Sequence, residues 1–279
     1  MWFKKAAEQG DAKAQYCLGL AYSSGNGVEK NYAEAVKWYR KSADQGFAEA
    51  QDMLAGMYVM GKGVEKDYAE VIKWRRKAAD QGLAAAQFNL GYAYYWGNGV
   101  KKDLAETAKW FRKAADQEIA VAQSFLGIFY ANGEGVKKDY EEAVKWFKKA
   151  AYHGDTNAQF NFGFAYYNGK GVKKDQIEAY AWFNIAADTA GTAKAQYRDD
   201  LEKRMRLMLP EQVAAIRQRM KELKAKIQPI DPKTDLVSGA FSHFFQMSSL
   251  SKPKNSTIKW VFGIIMALLR LSGLIGRSH

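Results

Sequence analysis

The chain has 279 residues, 48% of them hydrophobic and 26% charged, the balance of a folded protein with room for a sizeable core. One cysteine (Cys17) and three scattered histidines (His153, His243, His279) exclude an internal disulfide and a multi-cysteine zinc site, and no metal or other cofactor is expected. The net charge of +12 is uneven, +4 over residues 1–196 and +8 over 197–279, so a nucleic-acid reading of the main body is weak and the tail becomes the electrostatic question.

Residues 1–8 have no apolar stretch of the secretory kind, which points to a cytoplasmic protein. They begin inside a repeating pattern, and the expectation is a piece of a longer array whose first unit is shortened. From there the sequence recurs with a step of 36: Trp2, Trp38, Trp74, Trp110, Trp146 and Trp182. Gly25, Gly61, Gly97, Gly133 and Gly169 keep the same step, as do Gly27, Gly63, Gly99, Gly135 and Gly171, each of the latter followed by valine. Ala-Gln pairs from Ala14-Gln15 to Ala158-Gln159 hold the register. A sixth pair, Ala195-Gln196, is displaced by one, which places a single insertion in an Ala186–Lys194 loop.

Each unit reads as two helices. Helix A runs from about Ala14 to Tyr22 and is stopped by Gly25-Asn26-Gly27, because glycine supplies the positive φ of a helix stop and tight turn. Helix B opens at a capping box, Asp67/Glu70, repeated at Asp103/Glu106, Asp139/Glu142 and Asp175/Glu178, with Asn31/Glu34 as the variant. One such hairpin cannot bury its apolar face alone, whereas stacked neighbours can. Gly19, Gly91, Gly127 and Gly163 let the helices approach, and the repeated aromatics read as core.

With these residues in place, the motif A-Q-x-x-L-G-x-x-Y-x-x-G-x-G-V-x-K-D-Y-x-E-A-x-K-W-F-x-K-A-A resembles the Sel1-like repeat family over residues 1–196. The resemblance implies an all-α fold, a right-handed α/α superhelix of helix hairpins related to tetratricopeptide solenoids, acting as a non-enzymatic scaffold for protein contacts. Some secreted, cysteine-rich members are linked to β-lactam binding or hydrolysis. They staple each repeat with a disulfide that this chain lacks, so a cell-envelope hydrolase is the disfavoured alternative. Three departures stand out: Ala55 for the helix A glycine, Glu118 for a terminal glycine, and the insertion before Ala195.

After the array, Pro210 suits the first turn of a helix, and residues 197–228 are expected to cap the solenoid. Residues 229–257, with Pro229, Pro232, Pro253 and a serine-rich run, read as a linker. Residues 258–276 are apolar around a thin cationic seam, with Lys259 and Arg270 on one stripe beside Trp260. That pattern suits a helix lying on an anionic membrane surface, with a true span and docking on protein as the alternatives. If it spans, Lys252 and Lys254 keep the solenoid cytoplasmic.

No nucleotide-binding loop, nucleophile elbow or metalloprotease motif occurs, and no nucleophile–base–orienter set is found, so neither an enzyme nor a small-molecule substrate is expected. Lys30-, Lys37- and Arg40-type residues form a repeating basic ladder, read as a solvated face balanced by Glu34-type partners. The partner surface is placed on helix A, at positions equivalent to Cys17, Leu20 and Ser24, which vary between units while sharing one face. In the third unit these are Asn89, Tyr92 and Trp96; in the fourth Phe125, Ile128 and Asn132; in the fifth Asn161, Phe164 and Asn168. Aromatic anchors beside amides suit an extended peptide on a concave helix A face, the alternative being that these side chains pack between neighbouring helices.

Overall fold

The computed structural model describes residues 2–189 and 202–228, and within them every regular element is a helix. After α1 (Trp2–Glu8) come five hairpins: α2 (Ala12–Ser24) with α3 (Tyr32–Asp44), α4 (Ala48–Met60) with α5 (Tyr68–Asp80), and α6 (Ala84–Trp96) with α7 (Leu104–Asp116). The fourth and fifth are α8 (Ala120–Asn132) with α9 (Tyr140–Tyr152), and α10 (Thr156–Asn168) with α11 (Gln176–Thr189). The final described helix is α12 (Pro210–Lys224). Each hairpin packs within itself and on the next, which makes residues 2–189 an α/α solenoid. Helix A is longer at both ends than the expected Ala14–Tyr22, running Ala12–Ser24 in the first unit; the Asp11 and Asp155 side chains cap it in the first and fifth units, and the other three reach the same length without a side-chain cap. Helix α11 continues to Thr189, so Ala186–Thr189 is helix rather than loop; residues 190–201 lie outside the described residues.

The two glycines of each turn do different work. The first ends helix A in the left-handed region, as at Gly133 with φ 75°. The second also has positive φ, and it seats the turn on the preceding unit: a Cβ on Gly135 would lie 2.0 Å from the Leu104 carbonyl oxygen. No side chain fits there.

The capping boxes are half formed. Asp67 accepts from the amides of Ala69 and Glu70, and Asp103 from those of Ala105 and Glu106. The glutamate does not reach back, because the cap's own N–H is already taken by a helix A carbonyl: Asp103 donates to Tyr94, Asp139 to Tyr130 and Asp175 to Tyr166. The freed carboxylates pair outward instead, with Lys37, Lys73, Lys109 and Lys145 one turn on at 2.6 to 3.1 Å. Glu70 and Glu142 also accept from the indoles of Trp74 and Trp146. The Lys37-type rungs of the basic ladder are therefore matched by acid. Its arginines face another way: Arg40, Arg76 and Arg112 donate to the hydroxyls of Tyr58, Tyr94 and Tyr130 on the next unit.

The invariant Ala-Gln step has a physical reason. Gln15, Gln51, Gln87, Gln123 and Gln159 are buried, and each donates Nε2 to a carbonyl of the preceding unit, Ala7, Ala43, Ala79, Ala115 and Ala151, at 3.0 to 3.2 Å. The Oε1 of the first three accepts in turn from a glutamine thirty residues on: Gln45 to Gln15, Gln81 to Gln51 and Gln117 to Gln87, at 2.7 to 2.8 Å. In the fourth unit His153 Nδ1 stands 3.3 Å from Gln123 Oε1. A polar seam thus runs through the apolar interior, its buried amides paired as far as Gln159, whose buried Oε1 has no partner among the described residues.

Helix α12 closes on the fifth unit through fully buried Ile216 and Leu223, which meet Tyr180, Phe183 and Trp182. Its amino end is Pro210, and the Gln212 side chain accepts from the Leu209 amide at 3.1 Å. Lys224–Asp188 at 2.6 Å and the Gln228 amide on the Tyr152 carbonyl at 2.8 Å complete the seal. The proposed linker and the apolar segment with Lys259, Trp260 and Arg270 lie outside the described residues. Among the described residues no helix is long and apolar enough to cross a membrane.

Candidate functional site on the helix A face

A column of aromatic residues on helix B sets the depth of the helix A face. Tyr39, Phe111, Phe147 and Phe183 lie over Gly19, Gly91, Gly127 and Gly163, where an added Cβ would come within 2.6 to 2.8 Å of the ring. On helix A of the same units, Tyr16, Phe88 and Phe160 meet Tyr39, Phe111 and Phe183 with ring centroids 6.1, 5.2 and 5.2 Å apart. Ser124 takes that place in the fourth unit, and the neighbouring Phe125 reaches back to the rings of the third unit, 5.3 Å from Phe111 and 6.2 Å from Phe88.

The residues placed on this face by sequence are all there, half-buried apart from exposed Asn168, and they divide into two kinds. The aromatics are largely packing. Tyr92 lies against Phe88 and edge-on to Trp96, and burial pushes its hydroxyl up to about 12, against a smaller opposing effect of Trp96. Phe125 also meets Tyr95, Phe164 rests on Phe183 at 5.1 Å, and Ile128 packs on the core of the fourth and fifth units. Among the amides, Asn132 donates to Glu134 at 3.0 Å, Asn168 to the Phe164 carbonyl at 3.1 Å, and Asn89 to both Asp52 oxygens at 3.4 Å. Asn161 is half-buried and makes no hydrogen bond with a described residue.

The second unit breaks the column. Arg75 stands where the others carry Tyr39, Phe111, Phe147 and Phe183, and Asp52 where the first, third and fifth units carry Tyr16, Phe88 and Phe160. The glycine beneath is Ala55. Arg75 Nε lies 3.7 Å from Asp52 Oδ1, with 16% and 18% of the two side chains exposed. Nε is inaccessible and has no hydrogen-bond partner, and Arg75 makes no hydrogen bond with any described residue. Burial pulls the guanidinium below its ordinary pKa while Asp52 opposes that shift. Nearby, burial chiefly, then the charge of Glu49, raises the Tyr16 hydroxyl. At the position that holds Leu20, Tyr92, Ile128 and Phe164 in the other units, the second has Gly56, and the space a Cβ would enter there is open. Phe164 on Phe183 shows what normally covers the column. The second unit has no side chain at that position.

Sequence comparison of units by their helix A alone finds Asn89 but not Arg75. The signal was available: Ala55 breaks the helix A glycines, and twenty residues downstream the aromatic column breaks with it.

With this geometry in view, the family is plain. The Sel1 repeat model matches residues 1–11, 12–47, 48–83, 84–118, 120–155 and 156–188, about two thirds of the chain, and the protein belongs to the Sel1 repeat family. Sel1 repeat proteins generally serve as scaffolds for protein–protein contacts. Among solved structures it resembles c5321, a protective antigen of uropathogenic Escherichia coli with this fold, at 31% identity and a TM-score of 0.67 over 90% of the present chain. The chain spans 56% of that protein's length. It also resembles a Sel1 repeat protein of Oxalobacter formigenes, at 33% identity and a TM-score of 0.64, covering 77% of this chain and 88% of that one. A search of curated proteins gives no match.

Proposed function

We propose that the protein is a non-enzymatic adaptor that takes an extended segment of a partner protein along the helix A face. The observation that carries this reading is Asn161. It is a half-buried carboxamide on the helix that carries the Phe160–Phe164 ring pair, with no side-chain hydrogen bond to a described residue. An amide offers one donor group and one acceptor, the complement of a peptide unit, and rigid aromatic walls around it favour a chain with an extended backbone. The basic outer ladder is a poorer candidate, because Lys37, Lys73, Lys109 and Lys145 already face a glutamate. A cytoplasmic setting, with residues 258–276 attaching the adaptor to an anionic membrane surface, belongs to the same proposal and rests on the sequence pattern of that segment alone.

A photo-crosslinking residue placed at position 161, and separately at Lys145 on the outer face, tests the assignment in the native cell. Discrete protein adducts from position 161 that Lys145 does not give support the groove. Adducts from Lys145 with none from 161 would move the partner to the outer face. Flotation with anionic vesicles of the full chain against a chain ending at Lys254 tests attachment; equal solubility removes it.

A further inference from the structure

We propose that the second unit holds a carboxylate-binding notch, built by Arg75, Asp52 and Asn89 beneath the gap at Gly56, which takes an acidic side chain or the C-terminal carboxylate of a bound peptide. The inference deepens the adaptor reading and rests on it for the direction of the bound chain.

Three independent departures from the repeat meet at this place. A guanidinium replaces an aromatic ring in the buried column, a carboxylate replaces the ring it would stack on, and a glycine replaces the side chain that would cover both. Packing does not account for the glycine. A glycine inside a helix costs about 1 kcal/mol relative to alanine, and the other helix A glycines are matched to a ring against the Cβ position, whereas Gly56 faces open space. Arginine carries five N–H donors and no acceptor. Among the described residues its one charged neighbour is Asp52, at 3.7 Å from Nε, beyond hydrogen-bond reach. Asp52 is held by the Asn89 amide on both oxygens. It therefore keeps the guanidinium charged and in place without saturating it.

A planar fork of donors in a mostly buried site fits a carboxylate in two parallel hydrogen bonds, and partial desolvation makes such a pair stronger than one on the surface. The gap at Gly56 supplies the way in. Leu20 and Tyr92 hold the position of Gly56 in the flanking units, and both belong to the face already assigned to the partner segment.

The test is an NMR titration of the full chain that follows the Arg75 Nε–H resonance, assigned by its loss in Arg75→Gln. The probes are N-acetyl-trialanine with a free C-terminus, acetylated and amidated Ala-Glu-Ala, acetylated and amidated Ala-Gln-Ala, and inorganic phosphate. The expected result is a saturable shift with a carboxylate probe and none with the amidated glutamine peptide; which carboxylate acts identifies the source. Gly56→Leu, which restores the side chain of the first unit and leaves Arg75 intact, should weaken binding about tenfold or more, the loss of one charge-assisted pair. No saturable shift with either carboxylate overturns the proposal. So does an equal response to phosphate or to the glutamine peptide, or unchanged binding in Gly56→Leu. A failed titration alongside crosslinks from position 161 would remove the notch and leave the groove standing.

Discussion

Replacing Gln87 with leucine cuts the polar seam at the middle of the array. The side chain is 5% exposed and makes two bonds, Nε2 to the Ala79 carbonyl at 3.1 Å and Oε1 from Gln117 Nε2 at 2.8 Å. Neither partner is orphaned by the change: the Ala79 oxygen keeps the Gly82 amide at 3.0 Å, and Gln117 keeps the Gly82 carbonyl at 2.8 Å. The expected loss is therefore that of two intramolecular bonds at about 1 kcal/mol each, reduced by the added apolar burial, so about 1 to 2 kcal/mol. Gln117→Leu should cost as much although its side chain is mostly at the surface, because it leaves a buried oxygen on Gln87 without a partner. The double variant should then cost less than the sum, with a coupling of about 1 kcal/mol. Urea unfolding of the four proteins, with amide exchange to show whether the third unit opens first, measures all three terms. Losses under about 0.5 kcal/mol with additive behaviour would mean that the seam is a passive consequence of packing and that the Ala-Gln step needs another explanation.

Glu118 is the one non-glycine residue with positive φ among those described, at 65°, so Glu118→Gly should stabilise by about 1 kcal/mol and raise Tm; a fall in Tm would mean that its side chain does something the backbone does not show. Asp103→Ala removes two amide caps at 2.9 and 3.0 Å and should cost about 1 kcal/mol, read as a shift in the urea midpoint. Burial raises the Tyr39 hydroxyl to about 12, with the Ser23 bond opposing it. A raised folded value means that stability is complete below the unfolded value near 10 and is lost as pH rises from there toward 12. Tyr39→Phe should blunt that alkaline loss in melts taken across the window, and an unchanged profile would assign the loss to other groups.

The hairpin order and the turn positions were legible because the 36-residue step repeats the same local physics five times, and any one unit's ambiguity is averaged away. The capping boxes were misread in part because the sequence cannot show that the cap N–H is already bonded to the Tyr94- or Tyr130-type carbonyl of its own hairpin. The glutamine seam was invisible for a related reason. Gln15 and Gln45 are thirty residues apart, a separation that matches neither a helix turn nor the repeat and becomes a contact only when hairpins stack. The helix A face was half legible: the period puts its residues on one side of the helix, but it does not show that Tyr92, Phe125 and Phe164 pack on neighbouring rings.

Averaging also hides what a repeat protein does in particular, since a site specific to one unit is a departure from the consensus. Whether Asp52, Ala55 and Arg75 form one such departure is open to a thermodynamic cycle. A ring at position 75 would meet the Ala55 methyl, since a Cβ on Gly91 would stand 2.8 Å from Phe111 and one on Gly127 2.6 Å from Phe147. Arg75→Phe alone should therefore lose about 1 to 3 kcal/mol to overpacking, despite adding apolar burial. Ala55→Gly alone should lose about 1 kcal/mol from the helix interior, with the arginine stem left less well packed. Made together, the two changes recreate the pairing of the third and fourth units and should recover most of both losses, a coupling of about 1 to 3 kcal/mol. Adding Asp52→Phe should stabilise further, because it removes a carboxylate whose cation has gone and restores the ring pair seen at 5.2 Å between Phe88 and Phe111. The triple variant would then be at least as stable as the natural chain while lacking the notch. That result would show stability surrendered at this unit for a chemistry the other four lack, whereas additive losses across the cycle would show that position 75 tolerates arginine and phenylalanine alike.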